Sequence, residues 1–388
     1  MQHPTLSRRE VLVAGGATLA TLALFNSRFA AAAPLRQGDE VLPWLDQPEE
    51  NPVPEVIASQ LVWEELDSWI TPNEQFFGIA HYEWPKIEAS QWQLTIAGRV
   101  KKPLSLTLAD LRAQPRQEVT FTIECSGNSG LPFFNGGIGN AVWAGTPLGP
   151  LLEEEAGVLE DGSEVVFFGA DTGEETVRET KIVQHFARSL SLTEAMQPAN
   201  LLCYEMNGQP LPARNGAPLR LIAPGWYGIA NVKWLQRIEV WNTRLANRFM
   251  ARDYVTLRQT GTEAEPVWTE SLVGRALLKS APARVVRNGE SHRIEGAAWG
   301  GPMGAVEVKI DEGSWQRVQL DHSQQAEAAW VFWSFKWANP APGEHSVTTR
   351  AVDASGNTQP AADDPWIANK ITYWESNGQI TRRVKIPA

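Results

Sequence analysis

The sequence predicts an α+β body built on mixed sheet, followed by an all-β sandwich of the immunoglobulin-like kind. Three observations carry this. From Trp92 to about Val240, short β-favouring runs are broken by Gly and Pro too often for long helices. After about residue 255 the pattern becomes short alternating strands separated by turns. At 388 residues, the chain has material for two cores.

The elements follow in order. Ser7-Arg8-Arg9-Glu10-Val11-Leu12 is a twin-arginine pattern, succeeded by an apolar stretch to Phe25 and the small residues Ala30 to Ala33. The apolar run is shorter than the roughly 20 residues a spanning helix needs. Residues 1–33 therefore read as a cleaved leader for periplasmic export of folded cargo, with no membrane span. Residues 34–250 form the first domain, opening with a Pro-, Glu- and Trp-rich arm, to about residue 75, expected to lie extended on its surface. Trp92 to Gly98 alternates as a strand, and Thr107 caps a short helix near Leu111. Further strands are expected from Glu164, from Leu201 to the turn Asn207-Gly208, from Leu219, and from Val232 to Val240. Residues 251–388 form the second domain. Its strands are expected around His292–Trp299, Ala305–Ile310, Ser314–Val318, Trp330–Phe335, His345–Val352 and Ile371–Trp374.

The formal charge is −11, and loss of the leader's three arginines and one glutamate makes the remainder more acidic. That argues against nucleic acid and anionic membranes as partners. Two cysteines, Cys125 and Cys203, are present, and a disulfide between them stays open. No Cys-x-x-Cys-His motif occurs, so no haem attachment is expected, and zinc or iron–sulfur spacings are absent.

Cys125 is the most informative residue. It ends the apolar run from Phe121 and opens the small-residue loop Ser126 to Gly130. A thiol at a strand mouth followed by turn-formers meets a bound group with little steric obstruction. Its thiolate is a soft donor suited to a transition metal. The plain alternative is a buried free cysteine.

Motifs strung along the chain resemble the sulfite oxidase family of molybdopterin-dependent enzymes. They are Thr71-Pro-Asn-Glu-Gln-Phe-Phe77 with His81, Glu124-Cys125-Ser-Gly-Asn128, Gly169-Ala-Asp171, Tyr204-Glu-Met-Asn-Gly, Gly216-Ala-Pro-Leu-Arg220, Asn231-Val-Lys-Trp-Leu235 and Arg252-Asp-Tyr254. The resemblance implies that Cys125 ligates the molybdenum of a molybdopterin cofactor. It implies that Phe77, His81, Asp171, Arg220 and Lys233 contact the pterin and its phosphate, for which paired Arg and Lys donors suit. Tyr254 matches the active-site tyrosine beside the metal. Trp143 and Tyr204 read as packing residues. The second domain is expected to dimerise the chain.

The pattern also departs from the family. Ile79, Gly130 and Gly301 stand where substrate arginines are expected, and Asn215 replaces a histidine often found near the phosphate. Arg252, Arg214 and Arg178 are candidate substitutes. The resemblance implies oxygen-atom transfer to sulfite or a related sulfur compound, with electrons leaving to an external cytochrome. Sulfane dehydrogenase or sulfoxide reductase chemistry are the enzyme alternatives, and a non-catalytic molybdopterin-fold subunit is the alternative of another class.

Overall fold

The computed structural model describes residues 34–262 and 264–388; the leader read at residues 1–33 lies outside the described residues. The architecture is mostly β with few, short helices. In the first unit a five-stranded sheet runs in the order Leu104–Thr107, Gln93–Gly98, Leu235–Trp241, Glu164–Val177 and Thr180–Ser191. Gln93–Gly98 and Leu235–Trp241 pair in parallel and the other pairs are antiparallel, so the sheet is mixed. Its alternation is direct chemistry: Leu94 and Ile96 are buried while Gln93 and Thr95 face out. Thr107 caps the helix Leu108–Ala113 and Asp110 returns the bond, a capping box.

A second sheet holds Ile138–Pro147 between Gln117–Glu124 and Leu201–Met206, with Arg220–Ile222 beside the latter. Leu94, Phe167, Leu202, Leu219 and Ile238 join both sheets in one core. Two runs end at the same place. Gln117–Glu124 delivers Cys125, and the bend before Leu235 delivers Lys233, helped by a left-handed backbone at Trp234.

The second unit has a five-stranded sheet, Glu40–Leu42, Lys279–Asn288, Ser291–Trp299, Val331–Trp337 and Gln319–Leu320. A four-stranded sheet, Gln316–Arg317, Met303–Ile310, Gly343–Asp353 and Ile380–Ile386, shares its core through Val285, Ile294, Val308, Val347 and Val384.

Two expectations need correction. The arm does not merely lie on the first body. Glu40–Leu42 pairs with Lys279–Asn288, and Leu42 and Trp44 are buried in the second core, because an unpaired sheet edge and two apolar side chains are both satisfied there. Ile371–Trp374 is not a strand. Ile371 and Tyr373 are exposed, and the segment spends its backbone on other elements: Ile371 N–H donates to Leu257 and Glu375 N–H donates to Ser126. The strand lies later, at Ile380–Ile386.

Candidate active site

Six of the seven residues singled out from sequence line one cleft: Phe77, His81, Cys125, Arg220, Lys233 and Tyr254. The space they enclose, counted out to the open mouth, is about 480 Å³. Asp171 does not line it. That side chain is buried beside the cleft, near Lys233, with neither carboxylate oxygen hydrogen-bonded, and burial raises its pKa.

Cys125 sits in a tight loop. Its N–H donates to Gly137 O at 2.8 Å and its carbonyl accepts from Asn128 N at 2.9 Å. Cys125 is a free, partly exposed residue and Cys203 is free and fully buried, so no disulfide joins them. The surroundings push the Cys125 thiol up to about 12 by desolvation, against an opposing backbone N–H of Gly127. A metal must therefore displace its proton on binding.

The loop is anchored by a buried polar network. Glu124 Oε1 accepts from Lys279 Nζ at 2.8 Å and from Asn128 Nδ2 at 2.9 Å, and Oε2 accepts from Trp299 Nε1 at 2.7 Å. Lys279 also donates to Asn128 O at 3.1 Å. Both charged side chains are 1% exposed. Lys279 and Trp299 belong to the second unit, so that unit holds the cysteine loop.

At one end of the cleft lie the cations. Arg220 donates to the carbonyls of Asn215 at 2.8 Å and Asn231 at 3.2 Å and lies over the Trp143 ring at 4.8 Å, while its Nε has no partner. Lys233 donates to Ile79 O at 2.6 Å, and burial brings its pKa down to about 8. Asn215 Oδ1 is also buried without a partner. Trp143 and Tyr204 are core residues, as read from sequence.

At the other end Tyr254 and His81 Nε2 are hydrogen-bonded at 2.7 Å. Desolvation raises the Tyr254 phenol well above its usual range. Burial, then the charges of Lys233, Arg248 and Arg188, hold His81 well below its usual range, so the imidazole is neutral. With the phenol donating, Nε2 accepts and the ring hydrogen sits on Nδ1, which has no protein partner. Trp374 stacks on Tyr254 with centroids 4.2 Å apart, and Tyr373 packs on Trp374 at 4.0 Å. Sequence reasoning missed this aromatic strap because it took the segment for a strand.

The arginine-free positions have physical correlates. Ile79 lines the cleft. A Cβ added at Gly130 would fall 2.1 Å from Tyr373 O, so the strap occupies the space of a side chain there. Gly301 lines a separate groove. Of the candidate substitutes, Arg214 is held by Ser59 and Asn73, Arg252 is paired with Glu175 at 3.0 Å, and Arg178 is exposed on a hairpin turn.

Among the described residues no cluster of three or more His, Cys, Asp or Glu groups can hold a bare ion. Cys125 offers a single donor, so a metal here must bring other ligands with it. Unpartnered buried polar atoms on Arg220, His81 and the neighbouring Asn215 suit a ligand that carries several polar groups. A phosphate-bearing pterin that carries a metal fits this donor set.

Known proteins converge on the same class. Residues 81–249 match the oxidoreductase molybdopterin binding domain and residues 269–374 the Mo-co oxidoreductase dimerisation domain. These matches define a molybdopterin-binding oxidoreductase. Human (Homo sapiens) mitochondrial sulfite oxidase is 33% identical over 323 residues, covering 76% of this chain and 58% of that protein. The chain thus spans less than two thirds of that relative's length. Sulfite oxidase of Gallus gallus is 32% identical over 331 residues, covering 77% and 70% respectively. The solved sulfane dehydrogenase SoxCD from Paracoccus pantotrophus matches with a TM-score of 0.74 at 25% identity, over 90% of each chain. The chain belongs to the sulfite oxidase family.

Proposed function

We propose that this protein is an exported molybdenum-cofactor oxidoreductase that acts on a sulfur compound and passes electrons to an external cytochrome. The observation that carries the reading is the free Cys125 thiol in a cleft that also holds Tyr254, His81, Arg220 and Lys233. The activities for which the relatives are named, sulfite oxidase and sulfane dehydrogenase, support sulfur as the reacting element.

When bound, the cofactor supplies two-electron oxygen-atom transfer chemistry. The chain's residues do the rest. Cys125 holds the metal by its sulfur. Arg220 and Lys233 neutralise the phosphate. The Tyr254 phenol, kept protonated, offers a hydrogen-bond donor at the reacting end, with neutral His81 orienting it. Trp374 and Tyr373 cover the cysteine loop and limit water there.

Ile79 brings no charge to the cleft lining and the strap fills the space beside Gly130, so neither position supplies a charge-assisted donor to a substrate. A dianion desolvated there binds poorly. The preferred substrate therefore carries less charge than the sulfite dianion. We also read the second unit as an immunoglobulin-like sandwich that pairs two copies, and residues 1–33 as the export leader; the dimerisation-domain match and the twin-arginine pattern support these readings.

The test is a substrate panel on molybdenum-loaded protein with an artificial electron acceptor, using sulfite, thiosulfate and sulfoxides in both directions. Turnover of a sulfur compound, lost in Cys125→Ala with the fold retained, is the expected result. Protein made with full cofactor supply that contains no molybdenum supports the non-catalytic reading instead.

A further inference from the structure

Besides Arg220 in the cleft lining, a second buried arginine lies close to the site with no carboxylate in direct contact, and the buried Glu375 acts on it only through space. Arg188 is 1% exposed and, among the described residues, forms no ion pair. On its strand, Thr180–Ser191, it lies two residues after Phe186 and so shares its face. Phe186 stacks on His81 with centroids 4.5 Å apart, which places Arg188 on the Tyr254–His81 side of the site. Its guanidinium donates to Phe249 O at 2.5 Å and to Val273 O at 2.7 Å, and its Nε has no partner. The Phe249 ring packs edge-on against His81 at 5.4 Å, and Val273 N–H donates to Tyr254 O at 3.0 Å. Arg188 therefore clamps the two backbone segments that flank Tyr254.

A buried guanidinium whose hydrogen bonds go only to carbonyls lacks the direct partner that buried charges in folded proteins normally have, and Glu375 offsets its charge only through space. Of the cleft's other buried cations, Lys233 also acts on His81, while neither Lys233 nor Arg220 counts among the charges that act on Tyr254, where Arg188 does. The positive field on Tyr254 and His81 includes Arg188, which adds to the downward shift of His81 and opposes the upward shift that burial gives Tyr254. Arg248 and Arg252 are nearby but are satisfied by Glu175 and Asp253.

We propose that Arg188 is the specificity-determining charge of the reacting end, acting from behind Tyr254 and His81 so that the site prefers a singly charged sulfur anion to a neutral sulfur compound. It is a positioning residue as well, because it fixes Tyr254 through two carbonyls. This rests on the sulfur-oxidoreductase reading above and narrows its substrate class to a monoanion.

Methanesulfinate and dimethyl sulfoxide test it, being similar in size and different by one charge. Their dissociation constants are read from the visible absorption of the molybdenum-loaded full chain. In Arg188→Met, methanesulfinate is expected to weaken by about tenfold, the order for one charge acting through protein of effective dielectric near 20. Dimethyl sulfoxide is expected to change by no more than about twofold, because a neutral probe offers the charge of Arg188 nothing to attract. Arg188→Lys keeps the charge and cannot span both carbonyls, so it should retain methanesulfinate binding while lowering kcat. If Arg188→Met does not fold, Arg188→Gln, which can donate to one carbonyl and is neutral, takes its place. Methanesulfinate binding unchanged in a folded, loaded neutral variant overturns the role of Arg188 and leaves the sulfur reading standing. Failure of both probes to bind the loaded wild-type chain overturns the sulfur reading and this inference with it.

Discussion

Replacing Lys279 by Met removes the ammonium that neutralises Glu124 and leaves a carboxylate that is 1% exposed. Taking one partner from a buried ion pair costs about 3–5 kcal/mol. Asn128 and Trp299 still donate to Glu124 at 2.9 and 2.7 Å, which softens the loss. The expected penalty is therefore near the lower bound, about 3 kcal/mol. The consequence reaches the site, since Lys279 also donates to the carbonyl of Asn128, whose N–H donates to Cys125. Urea unfolding and molybdenum content, measured on the same preparation, are the assays. Lys279→Met should unfold at lower urea and retain less metal. The double variant with Glu124→Gln should recover at least about 1 kcal/mol, because no unpaired charge is then left buried. A Lys279→Met protein within about 0.5 kcal/mol of wild type, the range of an ordinary surface change, would refute the reasoning. So would a double variant weaker than the single one.

Tyr254→Phe deletes the donor to His81 and should slow turnover with molybdenum retained; metal analysis beside steady-state kinetics checks both halves. Gly130→Ala drives a Cβ to 2.1 Å from the Tyr373 carbonyl and should lower the Tm by displacing the strap, so an unchanged Tm would show that the contact is not tight. Arg293 beside Asp39 holds that carboxyl well below the usual carboxylate range. A depressed folded pKa gives stability that is present above the unfolded value, about 3.9, and is lost as pH falls below it. The stability gap between wild type and Asp39→Asn, followed by urea unfolding, should thus be full at pH 7 and shrink on acidification below about pH 4. A gap that is constant with pH would deny the pairing.

Local chemistry made much of this site readable. The run from Phe121 to Glu124 and the small-residue loop after it announce a strand that delivers a thiol, and Cys125 lies where that pattern puts it. The cap at Thr107 and the turn at Asn207-Gly208 are likewise local, and both are present. What stayed hidden depends on partners far away in sequence. Ile371 to Trp374 alternates like a strand, but its alternation serves the cysteine loop and Tyr254 instead of a sheet. Asp171 sits in a matching block and is buried beside the cleft, near Lys233, without lining it. Arg188 left one sign, a charge inside the apolar run Phe186-Ala-Arg-Ser-Leu, whose meaning appears only when Phe249 and Val273 come to meet it.

The pairing of Glu40 to Leu42 with Val285 to Arg287 bears on how the molecule is made. Early residues must wait for a sheet roughly two hundred and forty positions downstream before they find their place, the separation recorded between Trp44 and its acceptor Ala283. Contacts this distant slow folding, because the intervening loop must close before they contribute. A ribosome-bound chain lacking its later third has nowhere to bury Trp44, so the native arrangement is completed only once that part has emerged. The arm then acts as a clasp that records, in a single edge strand, that the second unit has been finished.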